Sequence, residues 1–285
     1  MALVALSGDE QRILFTQLCN VLDPRVAVYF CITSKGLREP TRALLQQLRA
    51  DHDAVVALCL KVGMRSCKKL REEKSIYWRE KALSEADLAA LGTLGSVLPA
   101  LDMLILGESS AAGHDGVQRL AEGLGAGALP AVTWLELGMH VGDAGASALA
   151  TALGRGALPR LERLALTSTG IGDAGLVALA PALRRQPALE GLSLGGNPFG
   201  DEGLAALVAP PPPATAPAPT AGGLTKLKTL QLDHTQITDA GCATLAAALD
   251  SGALPALDKL YLDSIPASAA AQAAVFEARA NLNDG

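Results

Sequence analysis

Residues 158 to 183 read LPRLERLALTSTGIGDAGLVALAPAL, and this stretch sets the architecture. Leu164 and Leu166 alternate with less apolar neighbours, as on a strand with one buried side. Leu176, Leu179, Ala180 and Leu183 then fall three and four apart, as on one face of a helix. A strand, a turn and a helix therefore make one unit. The unit recurs from Leu129 (LPAVTWLELGMHVGDAGASALATAL), Gln186 (QPALEGLSLGGNPFGDEGLAAL), Leu224 (LTKLKTLQLDHTQITDAGCATLAAAL) and Leu254 (LPALDKLYLDSIPASAA), with a worn copy, LPALDMLIL, from Leu98. The first apolar anchors are Leu101, Val132, Leu161, Leu189, Leu227 and Leu257, at intervals of 31, 29, 28, 38 and 30 residues. A repeat of this length is the mark of a solenoid or array, in which neighbouring units bury one another.

Asp143, Asp173, Asp201 and Asp239 stand immediately before the helical pattern, where a carboxylate caps a helix and faces its dipole. Gly145, Gly175, Gly203 and Gly241 follow two residues later, where a side chain would strike the adjacent coil. A phosphate cradle would also use glycines there, but a cradle is needed once, and this pattern comes four times. The long interval of 38 holds a proline-rich insertion at 209–223. Its prolines favour extended geometry, so it leaves the array as an exposed loop or serves as a ligand for a proline-binding module.

The L-x-x-L-x-L strand followed by a G-D-A-G helix resembles the ribonuclease-inhibitor type of leucine-rich repeat over residues 98–265, with a weaker extension back to about Lys74. That resemblance implies an α/β fold: a right-handed solenoid with parallel strands lining a concave face and helices outside. The family's usual asparagine at the strand exit is kept only at Asn197, with Thr169 and Thr235 in its place elsewhere.

The first hundred residues have another texture. Apolar clusters at Ile13, Leu14 and Leu18, at Val26 and Phe30, at Leu44, Leu45 and Leu48, and at Val55, Val56, Leu58 and Leu60 mark short helices. Asp23-Pro24 is a plausible helix start, since proline is preset for the first helical position. Residues 6–38, LSGDEQRILFTQLCNVLDPRVAVYFCITSKGLR, resemble an F-box, with Ser7 and Leu37 departing from its usual Pro and Trp. The resemblance implies a small all-α module that binds a Skp-type adaptor of a cullin ubiquitin ligase. Leu6, Ile13, Leu14, Leu18, Leu22, Pro24 and Phe30 would divide between its core and the adaptor contact. The alternative is that they only cap the apolar end of the solenoid. The expected organisation is an F-box-like module at 1–40, a helical connector and cap at 41–97, and a solenoid at 98–285 ending in a capping helix.

Hydrophobic residues make up 49% of the 285 and aromatics only 3%, so the chain is too apolar for disorder and Leu and Ala must do the packing. No apolar run is long enough to span a membrane. Five cysteines without a close Cys-x-x-Cys pair argue against a disulfide framework or zinc ribbon and point to a reducing compartment, cytoplasm or nucleus. Residues 98–285 hold 10 Lys and Arg against 18 Asp and Glu, which disfavours nucleic acid as a partner. Lys61 to Lys81 is basic, but Glu72, Glu73 and Glu80 interrupt it, and it reads better as a solvated lead into the first coil, with Tyr77 and Trp78 closing the core.

His52, His114, His140 and His234 lie at no spacing that suggests a metal site or a nucleophile-base pair, and no cofactor or enzymatic activity is expected. A partner would reach the strand residues between the buried leucines: Thr133, Trp134 and Glu136; Glu162 and Arg163; Glu190 and Ser193; Gln231; Lys259 and Tyr261; and, at the rim, Asp233 and His234. Trp134, Arg163 and Tyr261 are the types that dominate binding hot spots, and Trp134 is either the anchor or a packing cover. Glu136, Glu162, Glu190, Asp233, Asp258 and Asp263 share this side and would attract a basic partner. The expected function is protein binding: substrate selection within a ubiquitin ligase, or a scaffold, inhibitor or sensor whose N-terminal helices are only a cap.

Overall fold

The computed structural model describes residues 7, 9–11, 13, 15, 20–32, 35–64, 66–107, 112–209, 223–279 and 282–284. The expected adaptor contacts Leu6, Leu14 and Leu18, and all of the insertion except Ala209 and Gly223, lie outside the described residues. Two helices, α1 (Arg25–Ile32) and α2 (Lys35–Lys61), lead through α3 (Cys67–Glu72) into a strand-helix series. It runs β1 (Ser75–Trp78), α4 (Glu85–Thr93), β2 (Met103–Leu106), α5 (Gly113–Gly123), β3 (Trp134–Leu137), α6 (Gly142–Gly154), β4 (Arg163–Ala165) and α7 (Asp173–Leu183). It continues with β5 (Gly191–Ser193), α8 (Asp201–Val208), β6 (Thr229–Gln231), α9 (Asp239–Asp250), β7 (Lys259–Tyr261), α10 (Ala269–Glu277) and β8 (Asn283–Asp284).

The eight strands form one parallel sheet in sequence order. Parallel neighbours require a crossover of a dozen or more residues, which the helix and its return loop supply in each period. The register aligns Leu135, Leu164, Leu192, Leu230 and Leu260 in one row. Every member of that row is buried, as are Leu137, Leu166, Leu194, Leu232 and Leu262 two positions on. These rows meet Leu149, Leu176, Leu179, Leu204 and Leu245 from the helices in one continuous core. No helix among the described residues is long and apolar enough to cross a membrane.

Two polar devices hold the coils in step. The aspartates do not cap their own helices: Asp173 Oδ1 accepts the N–H groups of Gly200 and Gly203 at 2.8 and 2.7 Å, at the start of the next helix. Asp143 does the same for Gly172 and Gly175, and Asp201 and Asp239 accept from Thr238 and Ser268. The cap acts one repeat ahead because each aspartate sits in the first turn of its own helix, beside the next helix start. Inside the coil, buried Asn197 accepts from the amides of Thr169 and Ile171 and donates to the carbonyls of Leu166 and Leu194. Thr169 and Thr235 keep part of this function, each hydroxyl donating to a strand-exit carbonyl, of Leu166 and Leu232, at 2.8 and 2.7 Å.

Helix α2 runs through the boundary expected at residue 40, and β1 joins the sheet before the boundary expected at 97. The repeated unit is thus under way by Ser75. Val21, Val55, Leu58 and Cys59 belong to the solenoid's core, whereas Phe15, Ala27, Phe30 and Cys31 form a separate small cluster. At the other end, β8 follows α10 and pairs with β7, so the last helix is succeeded by one more strand.

Candidate functional site

Alternation along the strands leaves every second side chain on the sheet face opposite the helices. One row on that open face runs Ser75, Met103, Trp134, Arg163, Gly191, Thr229 and Lys259. Another runs Tyr77, Ile105, Glu136, Ala165, Ser193, Gln231 and Tyr261. Thr133, Glu162 and Glu190 each immediately precede a strand, along one edge of this face. The register therefore brings Thr133, Trp134, Glu136, Glu162, Arg163, Glu190, Ser193, Gln231, Lys259 and Tyr261 onto one continuous surface.

Asp233 and His234 instead occupy the turn after β6, where His234 has a left-handed backbone (φ 56°). Histidine tolerates that region better than most residues. Its amide donates to the carbonyl of Asp263 at 2.8 Å, and its exposed ring makes no hydrogen bond among the described residues. Away from the open face, His114 and His140 meet edge to face with ring centroids 6.4 Å apart, so two histidines scattered in the sequence are neighbours in the fold.

Half-buried Trp134 lies under the guanidinium of Arg163, whose central carbon is 5.5 Å from the ring centroid. Such a contact holds an exposed arginine in place and contributes on the order of 0.5 to 1 kcal/mol. Two of the six acids expected to make this surface acidic are ion-paired within the chain, and a third meets a neutral amide. Arg79 meets Glu136 at 2.5 Å, Lys228 meets Glu190 at 2.8 Å, and Asp258 accepts from Asn283 at 3.1 Å. The hydrogen bond from Lys228, with its charge and those of Lys226 and Arg163, holds Glu190 below the usual carboxylate range against an opposing effect of burial. Glu162, Asp233 and Asp263 form no ion pair among the described residues, and neither does Arg163.

A hollow of about 280 Å³ opens in the middle of this face, lined by Trp134, Arg163, Ala165, Gly191, Ser193 and Thr229 together with Glu190 and Lys228. Its floor is low because Gly191 stands in a row that carries Trp134, Arg163, Thr229 and Lys259 in the other repeats. Gly191 is the lining position that sequence reasoning passed over. The signal was present, since it is the one residue without a side chain at that place among the aligned copies from Leu129 to Leu254. Tyr77 was also misplaced: Trp78 is buried in the core, but Tyr77 is 59% exposed and its hydroxyl contacts Met103 Sδ at 2.8 Å on the open face.

A leucine-rich repeat family model matches residues 158–180, 188–208 and 223–246, the units built on β4, β5 and β6. The chain carries leucine-rich repeats. It matches no curated protein. The matched leucine-rich repeats are those that frame the hollow, and such repeats typically form protein-interaction modules.

At the N-terminus, Phe30 is buried against Phe15, with ring centroids 6.1 Å apart, and so belongs to the core and not to an adaptor contact. Leu22 and Pro24 are half-buried, and Ile13 is 58% exposed. Val26 and Tyr29, three apart on α1, are 50% and 67% exposed, and of the two the sequence reading named only Val26, as part of a helical pattern.

Proposed function

We propose that the chain recognises a protein partner with the open face of its sheet, the face expected to be concave, and presents its N-terminal helices to a Skp-type adaptor. It would thus act as the substrate-selecting subunit of a cullin-type ubiquitin ligase, its array being of the ribonuclease-inhibitor type. The first half rests on the uninterrupted register that lines up Trp134, Arg163, Gln231 and Tyr261 with no part of the described chain covering them. The second half rests on the N-terminal helices having a small core of their own while Ile13, Val26 and Tyr29 face solvent. A module that only capped the coil would have no need to expose them. Co-purification with a recombinant Skp-type adaptor tests this half. Binding is expected, and it should be lost in a Val26→Glu, Tyr29→Glu variant that keeps the native circular dichroism. No association of the intact chain would remove the ligase assignment.

The second reading is a scaffold, inhibitor or sensor with a purely structural cap. It is favoured by Val21, whose side chain belongs to the solenoid's core and whose carbonyl is bonded to His52 Nδ1 at 2.7 Å. A chain lacking residues 1–38 would then keep its full affinity for the partner and show no adaptor-dependent activity in either form.

A further inference from the structure

The hollow on the open face has a charge balance that selects its occupant. Three charged side chains line it, and two of them, Glu190 and Lys228, are already joined at 2.8 Å. The remaining charge is the Arg163 guanidinium, which has no carboxylate partner among the described residues and is held against Trp134. Ser193 and Thr229 add hydroxyl groups and Gln231 an amide to the same lining. A volume of about 280 Å³ falls just below the roughly 300 to 1,000 Å³ typical of small-molecule sites, which suits one or two side chains of a larger ligand.

We propose that this hollow receives an aspartate or glutamate side chain from an extended segment of the protein partner, with Arg163 as the recognition residue and Gly191 as the opening that admits it. The proposal rests on the reading of the open face as the partner surface. A guanidinium forms paired, parallel hydrogen bonds with a carboxylate, and its contact with the indole ring limits the freedom lost on binding. One unmatched positive charge suits a singly charged carboxylate. A phosphoryl group would bring nearly two negative charges against Glu190. The partner therefore carries an acidic residue where the exposed acids of this face, read alone, would have called for a basic one.

The test is selection from a random displayed peptide library on the full chain, followed by titration of the selected synthetic peptides. Trp134 reports occupancy, because the only other tryptophan, Trp78, is buried. Selected peptides should share an Asp or Glu whose amide replacement, like Arg163→Met, weakens binding roughly tenfold or more. Gly191→Leu should abolish binding by filling the hollow, and it should fold normally, since a Cβ there meets only the exposed Arg163 side chain, Cγ at 3.4 Å and Cβ at 3.9 Å. Arg155→Met, an exposed cation beyond the end of α6, should change nothing. An equal loss with Arg155→Met would mean unspecific charge attraction and would overturn the proposal.

Peptides that Gly191→Leu blocks but that share no acid and ignore Arg163→Met would overturn it too, while leaving the open-face reading intact. So would tighter binding when the acid is exchanged for phosphoserine. Peptides indifferent to Gly191→Leu, Arg163→Met and Trp134→Ala alike, or no enrichment at all, would overturn both this proposal and the open-face reading.

Discussion

Asn197 shows how much one side chain can carry in a coil. Replacing it by alanine strips partners from the amides of Thr169 and Ile171 and the carbonyl of Leu194, all in a buried layer, while the Leu166 carbonyl keeps only the Thr169 hydroxyl. Unsatisfied buried groups cost about 1 to 3 kcal/mol each, so Asn197→Ala should lower stability by roughly 3 kcal/mol or more. Thr235→Val removes one hydroxyl bond and should cost about 1 kcal/mol. Urea unfolding of the two variants compares them, and equal costs would contradict the account of the strand-exit layer. The thiols make a second prediction. Burial first, and then Cys67 beside it, push the Cys59 thiol up to about 12, while burial pushes Cys242 up to about 11. At pH 8 almost none of either is thiolate, the reactive form. Alkylation mapped by mass spectrometry should spare both in the native chain and label both in denaturant.

Among elements, the carboxylate that starts each helix serves its neighbour, so coupling between repeats can be measured. Gly241 faces Asp201 so closely that a Cβ would lie 2.2 Å from Oδ1 and 2.8 Å from Ile237 Cγ2. Gly241→Ala should therefore destabilise the chain, and by less when Asp201 is already alanine, because one of the two clashes is gone. A double-mutant cycle that showed strict additivity would deny the contact. Between α2 and α4 an ion pair, Lys61 with Asp87, adds to the apolar packing of Leu58, Leu88 and Leu91 in the common core. Burial raises the Asp87 carboxyl, but the bonds from Lys61 and Ser84 and the Lys61 charge outweigh it and hold the group below the usual carboxylate range. A lowered native value means that this contribution is complete above the unfolded value of about 3.9 and fades as pH falls through the native one. Acidification from pH 5 towards pH 3 should thus erode stability less in Asp87→Asn than in the parent, as followed by thermal melting.

Over the whole molecule, each repeat touches only its neighbours, and damage should stay local. Removing residues 1–34 takes away Val21, Phe15 and Phe30 and uncovers Leu44, Leu45, Leu48 and Val55. Hydrogen exchange should accelerate in α2, β1 and β2 and stay unchanged in β5 and β6. Acceleration spread evenly over the sheet would show that the array melts as one unit.

The repeat, its period and the inward leucines were legible in the chain alone, because a side-chain alternation of two followed by a helical spacing is a local property that backbone geometry imposes. Leu164, Leu192 and Leu230 fall in a row as the repeat alone requires, since identical units stack identically. The open-face residues followed from the same alternation. Their charge state did not, because Arg79 lies 57 residues from Glu136 and Lys228 lies 38 from Glu190. Nor did the hollow, which depends on Gly191 standing between Arg163 and Thr229 on adjacent strands. Periodicity reports which way a side chain points. Which group it meets there depends on packing between distant segments, and that packing joined Glu136 and Glu190 to cations of the chain and left Arg163 without a carboxylate at the hollow.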